Sequence, residues 1–374
     1  MIKGLIMFTV IRLSALFFAL SLILSGCISS NRGSGEPAER FERLFCWGAP
    51  WSEQQAQRYA SAGVTDIMVK NHNQYLLAKK YGMTPYWQCF TPVGPHRQVM
   101  TPEEEKYHDC INGKDLDKKL PKAERTKILD QRRIAANHRY GGEMVRKFDT
   151  LNTEIACFNS DTDFSLSAKR LDELLKNVPS DVAGMYIDYI GYMNHNGCYC
   201  QNCLAQYQQY LTERKLADTP GNKTAFYLHK IVEYYNKVTG YVKSKHPHFK
   251  FVVHIYPDFK NDPLYGNRTP ADYCGQTVSW YFKFSPEKIR QYTKIVVNRA
   301  QDHHNFVQGL PFIGLNTQST SSLAHKTPQE VEEELQIILA AGGRTLLVCS
   351  GSAILKEGYY EVFKKYCTQQ RASQ

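Results

Sequence analysis

Beyond residue 24 the chain has no apolar run of the about eighteen residues that a membrane-spanning helix needs. No glycine-rich phosphate loop follows its first strand-like segment, which argues against an open dinucleotide-binding sheet. No serine stands on a strand-to-helix elbow, and no Asp, Glu and His are spaced to hold a catalytic metal, so hydrolases built on those groups are set aside. Nucleic-acid-binding motifs are absent too, and the formal charge of +10 does not mark an RNA or DNA partner. Much of that charge falls in residues 114–133 (KDLDKKLPKAERTKILDQRR), where acids are interleaved, and it reads as a solvated helical face. Tryptophan is scarce at 4, but Tyr at 24 and Phe at 18 suffice to line a core or a sugar-stacking cleft.

The N-terminal residues read as an export signal rather than as fold. Lys3 and Arg12 carry positive charge, and residues 13–24 are apolar. The run ends in Leu24-Ser25-Gly26-Cys27, which resembles the bacterial lipoprotein lipobox. That resemblance implies cleavage before Cys27, lipidation of its thiol, and a lipid-anchored place in the bacterial cell envelope, facing the periplasm or the outside. Residues 1–26 are then a signal peptide and 27–40 a flexible tether containing Ser, Gly and Pro. Residues 41–374 are enough for one large domain with a well-buried core. The 11 cysteines include Cys27, and an exported chain permits disulfides among the others. Yet Cys46, Cys89 and Cys349 lie within or at the ends of apolar strand-like runs, where a thiol behaves as a small hydrophobe.

Hydrophobic period and turn punctuation divide the domain into alternating strands and helices. Strands are expected at 44–48, 65–69, 84–90, 184–190, 249–256, 277–282, within 306–313, and at 344–349. Helices are expected at 52–63, 73–81, 165–177, 203–215, 225–245, 286–302, 327–342 and 358–366. Ser52 with Gln55, and Thr327-Pro328 with Glu330, are capping signatures. The rhythm breaks over 91–160, an insertion that holds the basic segment and one long helix at 123–138. Between strands five and six, 257–276 shows no clear helix. The pattern predicts an α/β fold, a (β/α)8 TIM barrel with a long insertion after strand three. A doubly wound open sheet is the runner-up.

In such a barrel the site lies at the C-terminal strand ends. Those ends carry Trp47, Lys70, Gln88, Asp188, His254, Tyr256, Asp258 and Trp280, with Asn71, His72, Tyr189, Lys283 and Asn316 beside them. Flat rings to stack a pyranose, polar groups to read hydroxyls, and acids for a glycosidic bond make this the palette of a carbohydrate site. Asp188 is the informative residue. A carboxylate inside Tyr186-Ile187-Asp188-Tyr189-Ile190 is costly unless paired or used, and alternation sets Tyr186, Asp188 and Ile190 on one face. It is either a catalytic carboxylate or an acid pinning a cation or amide at the rim. Asp258 is the first choice for a second carboxylate, with Asp272 and Glu154 behind it. Lys70 suits a substrate hydroxyl or an ion pair equally.

After that strand, Cys198-Tyr199-Cys200-Gln201-Asn202-Cys203 is a C-x-C-x-x-C cluster. A C-x-C disulfide is strained and three thiols cannot all pair locally, so the spacing suits tetrahedral zinc, with disulfides as the alternative. Tyr186-Ile-Asp-Tyr-Ile-Gly-Tyr followed by this loop resembles a group of bacterial TIM-barrel glycoside hydrolases, in which a strand-four Asp precedes such a loop. The thiol spacing is also similar to the zinc-binding cluster of certain barrel β-galactosidases, whose fourth cysteine lies well upstream. The resemblance implies Cys157, 41 residues before Cys198, as a fourth zinc ligand, and a structural ion fixing the loop beside Asp188. It implies Asp188 as nucleophile or stabilising carboxylate, by position. Those β-galactosidases carry an Asn-Glu acid pair after strand four, and this chain has none, so their catalytic residues do not carry over.

The expectation is a lipid-anchored glycoside hydrolase acting on oligosaccharides through Asp188 and Asp258. Trp47, Lys70, Gln88, His254, Tyr256 and Trp280 would bind the carbohydrate, and Cys157, Cys198, Cys200 and Cys203 would hold Zn2+. The alternative is a barrel that binds glycans without cleaving them, because the second carboxylate is weakly marked. A thioredoxin-like redox lipoprotein fits the eight strands poorly.

Overall fold

Short runs rich in β-branched and aromatic residues form the strands, and both of their faces are buried along most of the sheet. The computed structural model describes residues 40–88, 93–111, 113–140, 156–190, 197–255, 271–279, 284–299, 308–317 and 325–367. The strands are β1 (Arg43–Cys46), β2 (Asp66–Val69), β3 (Thr84–Gln88), β4 (Gly184–Ile190), β5 (Lys250–Ile255), β6 (Tyr273–Ser279), β7 (Gln308–Gly314) and β8 (Thr345–Cys349). All pair in parallel, in sequence order, and β1 closes on β8 through Phe45↔Leu347 and Cys46↔Val348. The fold is a (β/α)8 TIM barrel.

Helices α1 (Glu53–Ser61) and α2 (His72–Lys80) follow the first two strands. After β3 come α3 (Pro102–Ile111) and α4 (Lys122–Tyr140), inside the long insertion, and then α5 (Ser165–Leu175). Two helices follow β4, α6 (Gln201–Arg214) and α7 (Pro220–Lys245). The circuit ends with α8 (Pro286–Arg299), α9 (Pro328–Ala340) and α10 (Tyr359–Tyr366), after β6, β7 and β8 respectively. Both capping signatures are realised. Ser52 Oγ accepts from Gln55 N at 3.3 Å, and α9 opens on a full box in which Glu330 N donates to Thr327 Oγ1 at 3.2 Å and Thr327 N to Glu330 Oε2 at 2.8 Å. Helix α7 starts five residues before its expected position, because Thr219 accepts from Asn222 N at 3.2 Å and Pro220 takes the first turn. Among the described residues no helix is long and apolar enough to cross a membrane.

Rings from non-adjacent strands meet, which is possible only through the lumen. Phe45 of β1 lies 5.0 Å from the Tyr273 ring of β6 and 6.0 Å from Tyr86 of β3. Nearer the C-terminal mouth, Trp47 packs edge-on to Tyr186 of β4 at 5.5 Å and stacks on Phe312 of β7 at 6.2 Å and 12°. At the opposite end Arg43 grips Asp66, with Nε to Oδ2 at 3.0 Å, and Thr65 Oγ1 donates to the same carboxylate at 2.6 Å. The lumen is a filled core, with an ion pair at its base and an indole at its mouth.

Two strand readings need correction. Strand β6 begins at Tyr273, four residues before the expected 277, and pairs both neighbours from its first residue (Val252↔Tyr273, Tyr273↔Gln308). Gly275 and Gln276 weaken its apolar signal, but two flanking strands hold them in the sheet. In β4 the register slips between Ile187↔Val253 and Ile190↔Ile255, three residues against two. That bulge breaks the alternation drawn from Tyr186 through Asp188 to Ile190.

Candidate active-site rim and metal centre

The connections leaving the strand ends build the C-terminal face. Segment 47–52, after β1, is tied to the end of β8 by Trp47 N to Val348 O at 2.9 Å and Gly351 N to Trp47 O at 2.7 Å. Leu315 N reaches Cys349 O at 2.5 Å, and Lys356 Nζ bonds Thr317 Oγ1, so the segments after β7, β8 and β1 form one continuous wall. Trp47 is half-buried with one ring face against Phe312, which makes it the floor of the mouth. Gln88, half-buried, ends β3 in register with Tyr186. Lys70 is exposed just beyond β2 and makes no ion pair among the described residues.

Several neighbouring candidates have structural duties. Asn71 caps α2, its Oδ1 accepting from Gln74 N at 3.0 Å. Asn316 is buried, and its carbonyl accepts from Lys326 N at 3.0 Å. Asp272 precedes β6, so it lies at the barrel's N-terminal end, where it accepts from Phe251 N at 2.8 Å and faces Lys243 at 3.6 Å. That position removes it as a second carboxylate. Asp188 occupies β4 at the bulge, and His254 occupies β5 opposite Gly275. Tyr256, Asp258, Trp280, Lys283, Glu154 and Cys27 lie outside the described residues.

The thiols are brought together. Cys157, Cys198, Cys200 and Cys203 place their sulfurs within 4.8 Å of one another, with three of the residues buried and Cys200 half-buried. Cys157 Sγ lies 3.3 Å from Cys203 Sγ and 3.9 Å from Cys200 Sγ, and none of the four is in a disulfide. A tetrahedral ion with metal–sulfur bonds of 2.3 Å sets sulfurs about 3.8 Å apart, whereas a disulfide needs about 2.05 Å. The four sulfurs lie close enough together to hold a metal ion.

Local structure presents these donors. Cys200 is the N-cap of α6 and Cys203 sits in its first turn. Val99 N donates to Cys198 Sγ at 3.3 Å and Asn159 Nδ2 to Cys203 Sγ at 3.2 Å. Hydrogen bonding favours the charged form of the Cys198 thiol. Its pKa is held far below the ordinary thiol value by hydrogen bonds from Cys157 and Cys203, and then by backbone N–H groups of Cys200 and Val99. Cys157 is pushed up by those hydrogen bonds and by burial. Gly197 is required because a Cβ there would come within 2.4 Å of the Tyr227 ring, whose hydroxyl donates to Cys198 O at 2.8 Å.

The centre also closes the insertion. Arg97 bridges Ala156 antiparallel, Cys157 N donates to His96 O at 2.9 Å, and Tyr199 N donates to Val99 O at 2.8 Å. Outgoing arm, returning arm and the segment before α6 are laced at one point, on the C-terminal side between β3 and β4. Asn159 and Val99 were not singled out in the sequence. Asn159, two residues past Cys157 in Ala-Cys-Phe-Asn-Ser-Asp, offered only proximity as a signal.

The fold has counterparts among solved structures. It is shared with two glycoside hydrolases. One is a polyextremophilic β-galactosidase from the Antarctic haloarchaeon Halorubrum lacusprofundi, at TM-score 0.52 and 12% identity over 87% of this chain. This chain spans 57% of that enzyme's length. The other is the PgaB (BpsB) glycoside hydrolase domain from Bordetella bronchiseptica, at TM-score 0.52 and 8% identity, covering 89% of this chain and 100% of that one. At such identities the likeness is one of fold. No protein-family model and no curated protein sequence matches the chain.

Proposed function

We propose that this protein is a glycoside hydrolase of the bacterial cell envelope, held to the membrane by lipid on Cys27 and acting on oligosaccharides. The observation that carries the reading is the juxtaposition at the C-terminal face. An acid-bearing strand, β4, leads into a four-thiol knot, and an indole floors the mouth of a filled barrel. Asp188 serves as nucleophile or charge stabiliser beneath the anomeric carbon, and Asp258 as the second carboxylate, protonating the leaving oxygen. Trp47, Lys70, Gln88, His254, Tyr256 and Trp280 surround the sugar. The knot holds Zn2+ through Cys157, Cys198, Cys200 and Cys203. Four sulfur ligands leave no open position, so the ion fixes the segment beyond β4 and takes no part in bond cleavage.

The test pairs stability with turnover. Asp188→Asn removes the charge that offsets an oxocarbenium-like transition state while preserving shape, so turnover on a glycan panel should fall roughly a thousandfold or more. Ligand affinity and melting temperature should hold. A folded variant as active as wild type takes Asp188 out of the mechanism. A wild type that binds glycans but cleaves none assigns the barrel to binding alone.

A further inference from the structure

Trp51 lies in the segment from β1 to α1, on the face where the strands end, and it is 75% exposed. Its bland use would be a hydrophobic staple, packing back on the fourth helical residue of α1. That residue, Ala56, is fully buried, yet the indole stays in water, so the staple is not made. The other exposed large apolar side chains, such as Leu76, Leu166 and Leu216, are aliphatic and scattered, as on any surface. The backbone that presents Trp51 is fixed. Trp51 N donates to Gln55 Oε1 at 2.9 Å, Ser52 caps the helix, and Gly48 lies against Gly351, where a Cβ would come within 3.1 Å of the Gly351 Cα.

Trp51 stands four positions on from Trp47, a backbone reach of no more than about 14 Å. One indole floors the mouth, and the other is presented to solvent by the same connection on the face where the strands end. We propose that Trp51 is a stacking platform for an outer sugar ring of a chain whose inner units occupy the mouth, so that the site selects oligosaccharides over shorter sugars. The inference rests on the carbohydrate reading above. The C–H face of a pyranose packs on a flat ring, and the indole N–H remains able to donate to a hydroxyl. Because the platform is held in place before binding, little ordering is lost when a ligand arrives.

Trp51→Ala and Trp51→Phe in the full chain test this, using a length series of the glycan that wild type binds best, read by calorimetry and by turnover. Affinity of Trp51→Ala for the longest member should fall about tenfold, with the shortest unchanged. Trp51→Phe should retain most of the difference, and melting temperatures should match wild type. Equal loss at every length, or none at any, overturns the platform while leaving the carbohydrate reading in place. So does a shift from dimer to monomer in sedimentation with glycan binding untouched, which would give the ring to self-association. A wild type that binds no glycan at any length overturns the carbohydrate reading itself, and the platform with it.

Discussion

Lys326 and Glu334 meet at 3.0 Å beneath α9, with side-chain exposures of 1% and 9%, and Ser279 bonds both at 2.7 and 2.8 Å. Removing one charge strands the other away from water. Lys326→Met is therefore expected to destabilise the protein by about 3–5 kcal/mol in chemical denaturation, and Lys326→Met with Glu334→Leu to recover most of it. A single variant as stable as wild type would show that the pair contributes nothing net. This triad was not legible in the sequence. Glu334 follows Glu330, Glu332 and Glu333 with nothing in the sequence to set it apart, and its partners Ser279 and Lys326 are brought to it by the fold. Asp188 was legible for the opposite reason, as a lone carboxylate in an apolar strand. The bulge at its position was not, since pairing slips leave no mark on a single strand.

At the scale of elements, the four-cysteine cluster joins the insertion's two arms to the start of α6, so loss of the proposed ion should be felt well beyond four side chains. Natively purified protein is expected to carry stoichiometric zinc. Cys203→Ser should lose it, melt at lower temperature, and become sensitive to protease at 93–100 and 156–161 while the barrel core stays protected. Elemental analysis with limited proteolysis checks both. Metal-free wild type with these cysteines in disulfides would end the zinc reading. Three of the four clustered cysteines are visible as local spacing, and the fourth comes through resemblance, because a contact across 41 residues has no local signature. Helix starts were readable where chemistry was read in full. Thr327-Pro328 marks the start of α9, and the same pair at Thr219-Pro220 marks the start of α7, five residues before the apolar periodicity that suggests 225.

For the whole molecule, eight short buried strands, nearly all followed by a helix, make the barrel legible. Closure itself, β1 on β8, is a contact over some three hundred residues that only the count of strands implied. The proposed lipid anchor on Cys27 belongs to this scale as well. Cys27→Ser is expected to release the protein from membranes or leave an uncut precursor, and fractionation with a size readout distinguishes these. A trimmed Cys27→Ser product that still pellets with membranes would count against the anchor. The laced neck at Arg97 and Ala156 has one more consequence. Where two arms are held side by side, the chain between them adds little beyond its closure entropy, about 0.6 kcal/mol for each doubling of length. The barrel can thus accept a longer, shorter or wholly different excursion from that doorway without renegotiating its own folding, which makes the neck a natural place for related chains to diverge.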